Sequence, residues 1–331
     1  MYAVINRFAS GPDPGPALPG AEPPAAASPR IVMNTGTQRP SRRRFLGGAV
    51  GLAALGSFAV ACGSAGNQPR SSRASGAWAP PSGPSAPPSG GRATTVATTS
   101  VDADLVKQRY LGLKPFSPPP PPPAVKPVTL SATDPTVFSR VPLTDKVVFV
   151  TIDDGIEKDP RFIQMVRDFQ VPITVCLTDA LIRDDYAYFE KLYETGYVSI
   201  QNHTLTHPMS MPALSPAQQL DEIAGQQLKL ALRYGGIPYI FRPPSGRYDE
   251  TTIAATGQAG LQGLMLWKEA MQITDMEYQT SARRLSPGDI ILCHFRGPAQ
   301  LDGESMVHMM IHLYRRIQAQ GFTIADITQY V

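Results

Sequence analysis

From about residue 145 onward, short apolar runs alternate with longer segments in which apolar residues recur every three or four positions. Apolar runs rich in β-branched residues, such as residues 146–152 and 289–295, predict buried strands, and the longer segments predict amphipathic helices. About seven strands alternate with helices in this way. The pattern predicts an α/β fold in which parallel strands, with helices outside, close or nearly close into a barrel.

Two segments within this pattern carry more specific signals. Residues 215–235 begin with Ser215 and Pro216, which are typical of the N-cap and the first turn of a helix. The polar stretch between the strand that ends near Lys268 and the strand that begins at Asp289 predicts a further helix.

The chain before residue 145 differs in composition. Residues 63–144 are rich in Pro, Ser, Gly and Ala, and a segment with so few large apolar residues does not bury enough surface to offset its ordering entropy. We therefore expect a disordered linker there, with a stiff polyproline spacer at residues 118–123 and a short helix of no evident role within residues 102–113. The folded domain is expected to span residues 145–331.

Residues 41–62 have the character of an export signal. They read SRRRFLGGAVGLAALGSFAVAC, in which arginines precede an uncharged segment, residues 47–61, that is too short to span a bilayer. The start resembles a twin-arginine signal, and the final AVAC resembles a bacterial lipobox, in which the cysteine becomes the lipid-bearing N-terminus. Residues 1–62 are thus expected to be a lipoprotein signal, with Met33 as an alternative start.

A lipidated Cys62 would anchor the exported protein to the outer face of the cytoplasmic membrane. The alternative is that the apolar segment is an ordinary buried helix. The formal net charge of +3 does not point to a nucleic-acid partner, because arginines are concentrated in residues 1–61 and the rest of the chain is close to neutral. The other cysteines, Cys176 and Cys293, are expected to be buried thiols, or a disulfide if their strands are neighbours.

Polar residues follow the ends of five predicted strands. In parallel barrels, the chemistry takes place at the C-terminal ends of the strands, so these side chains are expected at one rim. In chain order, the residues at these strand ends are Asp153 and Asp154, His203 and His207, Arg242, Trp267, and His294.

The sequence HTLTH suggests a metal site. His203 and His207 are four residues apart, and on one helical turn their imidazoles would face the same way. No glutamate lies between them as in HExxH, so one aspartate of TIDDG would supply the third ligand, and its neighbour would act as general base. The turn at Gly155 would let the two carboxylates converge. The alternative is that both histidines are ordinary surface residues.

The ordered motifs TIDDG, HTLTH, RPPSG, Trp267 and ILCH resemble the polysaccharide deacetylase family, also called the NodB-homology domain or carbohydrate esterase family 4. The resemblance covers residues 145–331. It implies a distorted (β/α) barrel that removes N- or O-acetyl groups from sugars with a divalent metal, most often zinc, with cobalt, manganese or nickel as alternatives.

The resemblance also assigns roles to residues. It implies that Asp153 is the base, held by Arg242, and that His294 is the acid. The implied metal ligands are Asp154, His203 and His207. The backbone N–H of Ser245 would stabilise the oxyanion, and Leu292 and Trp267 would wall the pocket for the acetyl methyl group.

Several positions depart from the family pattern. Ser245 replaces a tyrosine, and Phe295 replaces an acidic residue that often follows the histidine. Ala270 stands where an aspartate orients that histidine, and Glu269 or Asp275 are the candidates to replace it. The spacing of four recurs at His308 and His312, which we expect not to bind the metal.

The expected substrate is an N-acetylated glycan outside the membrane, such as peptidoglycan or a chitin-like polymer. Because the fourth motif is altered, a second hypothesis is a catalytically weak or inactive glycan-binding lipoprotein on the same scaffold.

Overall fold

The computed structural model describes residues 101–331, and all structural statements below concern that part of the chain. Its helices are α1 (Ala103–Arg109), α2 (Pro160–Phe169), α3 (Asp179–Ile182), α4 (Tyr186–Tyr193), α5 (Pro216–Tyr234), α6 (Glu250–Gln258) and α7 (Met306–Ala319). Its strands are β1 (Thr136–Phe138), β2 (Val147–Asp154), β3 (Ile173–Leu177), β4 (Val198–Asn202), β5 (Ile240–Phe241), β6 (Gly263–Met265), β7 (Glu269–Met271), β8 (Met276–Tyr278), β9 (Ile290–His294) and β10 (Thr323–Ile324).

The strands form one curled sheet in the order β1-β6-β5-β4-β3-β2-β9-β7-β8, with β10 paired to β2. Every pairing between these strands is parallel except that of β7 with β8. The segment after β1 meets the start of β9 through a bridge between Arg140 and Asp289, which draws the sheet round on itself. The predicted α/β fold, a distorted (β/α) barrel, is confirmed, and the predicted strands are β2 to β6, β9 and β10.

Alternation along β2 separates two apolar layers. Val148, Val150 and Ile152 belong to the cluster that includes residues of α2, α4 and α7, whereas Val147 and Phe149 belong to a second cluster inside the curl. Successive side chains of a strand point to opposite faces, so Asp153 shares the inner face with Phe149. The inner layer thus leads along β2 to a carboxylate at its C-terminal end.

The N-terminus of α5 matches its prediction. The Ser215 hydroxyl accepts a hydrogen bond from the backbone N–H of Gln218, and the Gln218 side chain accepts one from the backbone N–H of Ser215, which completes a capping box. Gly235, with φ of 71°, ends the helix in the left-handed conformation. These caps fix both ends of the helix that lies beside β4.

The predicted start of the domain at residue 145 is wrong. Residues 101–144, predicted as part of a linker, include α1 and β1, and β1 pairs with β6. Val106 and Tyr110 are buried in the main core, which gives the short predicted helix a packing role. A few well-placed apolar side chains are enough to order this Pro-rich segment because the barrel offers surface for them to cover.

The helix predicted between residues 268 and 289 is also wrong. This stretch contains the antiparallel pair β7–β8, and β7 pairs in parallel with β9. The edge of β9 supplies hydrogen-bonding partners that the local sequence does not reveal, and such pairing overrides helical propensity.

Cys176 and Cys293 are both buried free thiols, as predicted. They lie on β3 and β9, which flank β2 on opposite sides, so the alternative of a bridge between neighbouring strands does not arise. Within residues 101–331, none of the helices is both long and apolar enough to cross a bilayer. The predicted signal at residues 1–62, including Cys62, lies outside the described residues, as does the linker up to residue 100.

Candidate active site

Two adjacent carboxylates reach the same site because the backbone changes conformation between them. Asp153 ends the regular part of β2, and Asp154 has φ of 79°, in the left-handed region, followed by Gly155 with φ of 110°. The turn therefore begins at Asp154, one residue earlier than predicted. The nearest distances from His203 Nε2 are 3.7 Å to Asp153 Oδ2 and 3.5 Å to Asp154 Oδ1. A left-handed conformation at a non-glycine residue is unfavourable and is often found at functional sites.

The His203 ring is fixed by its second nitrogen. His203 follows β4 and is buried, and its Nδ1 lies 2.7 Å from the carbonyl oxygen of Arg242. A carbonyl only accepts, so Nδ1 carries a proton, and Nε2 is the nitrogen that faces the two aspartates and would bind a cation. Metal-binding histidines are commonly oriented in this way.

His207 reaches the site from a loop rather than from the predicted helical turn. Thr204 and His207 both have positive φ, of 69° and 62°. The loop is tied to α5, because Glu222 accepts hydrogen bonds from the backbone N–H and the hydroxyl of Thr206, at 2.8 Å and 2.6 Å. The anchored loop, and not helical periodicity, places both imidazoles on one side.

Asp154, His203 and His207 form a three-ligand set. One ligand atom from each lies within 4.8 Å of the others, and His207 Nε2 is 3.1 Å from Asp154 Oδ1. That oxygen is buried and makes no hydrogen bond within residues 101–331. A buried carboxylate oxygen beside two imidazole nitrogens fits a divalent cation, and two nitrogens with one oxygen is a donor set that zinc accepts.

The charges in this set oppose the effect of burial. Burial raises the pKa of Asp154, but the adjacent His203 and His207 outweigh it and hold that pKa well below its usual value. Burial lowers the pKa of His203, whereas the charge of Asp153 and the contact with Asp154 raise it, with a net increase. The set is therefore organised around negative charge at Asp154.

Asp153 has a different partner. Arg242, whose side chain is 0% exposed, donates from Nη1 to Asp153 Oδ1 at 2.9 Å and to Thr151 Oγ1 at 2.6 Å. The same guanidinium donates to the backbone carbonyls of Met265 and Leu266. A guanidinium held at this many points keeps the carboxylate of Asp153 oriented.

His294 faces the same interior as Asp153. It ends β9 and is the register partner of Asp153 on β2, so their side chains project to the same face of the sheet. Burial lowers the pKa of His294 to about 4, although the negative charges of Asp154 and Asp153 act in the opposite direction. The ring is thus mostly neutral near pH 7.

Comparison with known proteins agrees with this arrangement. Residues 140–264 match the sequence model of the polysaccharide deacetylase family. These residues therefore form a domain of the polysaccharide deacetylase family. The match covers the strands that carry Asp153, Asp154, His203, His207 and Arg242.

Relatives of this deacetylase domain include proteins of known and unknown function. An uncharacterized protein of Streptomyces coelicolor is 36% identical over 198 residues, which cover 60% of this chain and 78% of that protein. The structure of a peptidoglycan N-acetylglucosamine deacetylase superposes with a TM-score of 0.51 at 18% identity, over 60% of this chain and 92% of that one. The structure of a carbohydrate esterase family 4 pseudoenzyme of Bacillus anthracis superposes with a TM-score of 0.50 at 19% identity, over 59% of this chain and 69% of that one.

The remaining predicted site residues are Ser245, Trp267 and Leu292. Ser245 lies in a tight turn with φ of 57°, and a Cβ added at the next residue, Gly246, would be 2.9 Å from the Trp267 ring. That ring lies 5.8 Å from the Arg242 guanidinium. Leu292 shares the inner face of β9 with His294. Glycine at 246 therefore allows Trp267 to cover the turn.

Neither candidate replaces the aspartate that orients the histidine. Glu269 and Ala270 are register partners of Ile291 and Leu292 on β9, so Glu269 projects to the face opposite His294. Asp275 is exposed and pairs with Arg316 at 2.7 Å. The interior position belongs to Ala270, which has no carboxylate.

Sequence reasoning missed three supporting residues of the candidate active site. Thr151 lies two residues before Asp153 on β2, a spacing that indicates the same face, and its hydroxyl accepts from Arg242. Gly246 ends the RPPSG motif, but its closeness to the Trp267 ring is visible only in the fold. Glu222 lies on α5, 16 residues after Thr206, and no local signal connects it to HTLTH.

Proposed function

We propose that the domain is a metal-dependent hydrolase that removes acetyl groups from an N-acetylated or O-acetylated polysaccharide. The observation that supports this most strongly is the division of labour between adjacent carboxylates: Asp153 is bonded to Arg242, whereas Asp154 faces two histidines. A structural ion pair or a plain binding surface does not require both arrangements at one strand end.

Asp154, His203 and His207 would hold a divalent cation, and zinc suits this donor set best, with cobalt, manganese or nickel as alternatives. A bound cation would supply Lewis-acid chemistry, which polarises an acyl oxygen and lowers the pKa of a water molecule.

The protein's own groups then have separate tasks. Asp153, oriented by its hydrogen bond from Arg242, accepts a proton from the attacking water. The backbone N–H of Ser245 donates to the developing oxyanion, and Leu292 and Trp267 exclude water around the acetyl methyl group. His294 donates a proton to the leaving nitrogen. Because the pKa of His294 is lowered to about 4, few molecules carry this proton near neutral pH. Slow turnover of amide substrates is therefore expected.

A second candidate function is glycan binding with little or no catalysis. It is favoured by Ala270 at the interior position of β7 and by the placement of Glu269 and Asp275 away from His294. Acetate release from an acetylated chito-oligosaccharide and from a peptidoglycan fragment, with and without a chelator, distinguishes the two. Chelator-sensitive release supports the hydrolase, whereas binding of these glycans without release supports the binding protein.

We further propose that the protein is exported and anchored to the outer face of the cytoplasmic membrane through Cys62. The arginine-rich segment that ends in AVAC supports this, and peptidoglycan is an acetylated polymer near such an anchor. Mass spectrometry of the native N-terminus tests it. A chain that begins at lipidated Cys62 supports the anchor, and an intact leader or an unmodified Cys62 contradicts it.

A further inference from the structure

A second pair of facing histidines lies on α7. The chain has five histidines, and the two that lie outside the candidate active site are His308 and His312. One helical turn separates them, their ring centroids are 4.7 Å apart, and their Nε2 atoms are 3.2 Å apart. Both side chains are partly exposed, so an ion in solution has access to them.

Glu304 orients His308, the first histidine of this pair. Its Oε2 contacts Nδ1 of His308. An ionised carboxylate only accepts hydrogen bonds, so Nδ1 carries the proton and Nε2 of His308 presents its lone pair toward His312. Metal-binding histidines commonly donate the N–H of their other ring nitrogen to a carboxylate in this way.

We propose that His308 and His312 bind a transition-metal ion of the zinc, copper or nickel class, at a site separate from Asp154, His203 and His207. Imidazole nitrogen suits these metals and not magnesium or calcium. At metal–nitrogen distances of about 2.0–2.1 Å, two ligands at a tetrahedral angle lie about 3.3 Å apart. The observed separation of 3.2 Å is close to that value. Metal binding would replace the hydrogen bond between the rings, and the proton on His312 Nε2 would move to its Nδ1 or to solvent.

The second site is weaker than the first. It has two protein ligands, so water would complete the coordination, and no carboxylate oxygen points at the ion. Arg315 and Arg316 follow on the same helix, and their positive charge near His312 disfavours a cation, although Arg316 is paired with Asp275 at 2.7 Å. From the sequence, His308 and His312 were expected not to bind the metal, although they share the spacing of His203 and His207. The facing nitrogens and the contact with Glu304 provide that reason.

Titration of the full, tag-free and metal-free chain with Zn²⁺ tests the proposal by calorimetry. The wild type should bind two ions, one tightly and one more weakly. His312→Ala should lose only the weaker one, and Glu304→Gln should weaken it by about 10- to 100-fold. His203→Ala should lose only the tighter one. This pattern does not depend on enzymatic activity.

A matched control uses His312→Asn, which keeps a polar side chain but lacks the imidazole. It should lose the weak site like His312→Ala, with an unchanged circular dichroism spectrum. If the wild type and His312→Ala bind the same number of ions with the same affinities, the two rings share only a hydrogen bond and the proposal is wrong.

Discussion

At the scale of single residues, backbone conformation gives neighbouring aspartates different partners. Regular alternation would point Asp153 and Asp154 to opposite faces of the sheet. The left-handed φ of 79° at Asp154 brings its carboxylate toward His203 and His207, while Asp153 stays with Arg242. The unfavourable backbone at Asp154 is a local cost that the proposed metal-ligand role would explain.

The most informative single substitution is Ala270→Asp. Ala270 lies beside Leu292, on the face that His294 shares, so a carboxylate there would favour the protonated imidazole. We expect kcat/KM for an acetylated amine substrate to rise by about tenfold or more, and the basic side of a bell-shaped pH profile to move to higher pH. Kinetics from pH 4 to 9 measure both effects.

Ala270→Asn is the matched control, since it has the same shape without the charge. It should leave both the rate and the pH profile close to those of the wild type. An activated acetyl ester should respond little in either variant, because its leaving group needs no proton. Equal behaviour of the two variants with the amide would show that no charge at position 270 reaches His294.

Sequence reasoning identified the charged groups of the site better than the residues that hold these groups in place by hydrogen bonds. Asp153, His203 and Arg242 were found because each follows an apolar strand, and parallel strands end at one rim. Thr151 and Glu222 act through hydrogen bonds to partners in other elements, 91 and 16 residues away along the chain. Such contacts depend on how helices and strands pack, which local spacing does not encode.

At the scale of elements, α5 holds the loop that carries the histidines. Glu222→Ala removes two hydrogen bonds to Thr206 and should let His207 move. We expect zinc affinity at the candidate active site to fall by about 10- to 100-fold, as for other residues that support metal ligands. Competition with a chromophoric chelator measures this affinity.

Ser215→Ala is the control for that experiment. It removes the N-cap of the same helix and should lower the free energy of unfolding by about 1 kcal/mol. Because it leaves Glu222 in place, the zinc affinity should not change. A loss of affinity in both variants would mean that general loosening of α5, and not the bonds to Thr206, is responsible.

A buried pair of carboxyl groups, Glu269 on β7 and Asp289 just before β9, makes stability depend on pH. Burial and the adjacent Asp289 raise the pKa of Glu269 from 4.5 to about 9. The native state therefore retains a proton that the unfolded chain releases, and the stability from Glu269 is complete below pH 4.5 and declines as the pH rises toward 9. Glu269→Gln should lessen that decline.

Urea unfolding of the wild type and Glu269→Gln at pH 5, 7 and 9 measures the effect. The difference between the two in unfolding free energy should grow in favour of the variant as the pH rises. A difference that is constant across this range would show that Glu269 does not retain its proton in the folded state.

The elements that the sequence predicted best have their own periodicity and caps, such as β2 and α5. The β7–β8 pair was predicted as a helix because the stretch is polar and short of β-branched runs. Its strand conformation comes from the pairing of β7 with β9, so it depends on residues in another part of the chain.

At the scale of the whole molecule, composition misplaced the start of the domain. Residues 101–144 look like a linker because prolines separate their apolar residues. Val106, Tyr110 and Leu113 nevertheless pack into the main core, and β1 extends the sheet beside β6. Composition averaged over a long stretch of sequence does not reveal the few apolar side chains that order such a segment.

The central claim is that adjacent aspartates divide base and metal-ligand roles in a working deacetylase. The most direct measurement is bound metal, together with acetate released from an acetylated chito-oligosaccharide or a peptidoglycan fragment, for wild type, Asp153→Asn and Asp154→Asn. We predict that Asp154→Asn loses the tight ion and the activity, whereas Asp153→Asn keeps the ion and loses about 10²–10⁴ in rate. Tight metal binding in both variants, or a metal-loaded wild type that releases no acetate, would contradict the account.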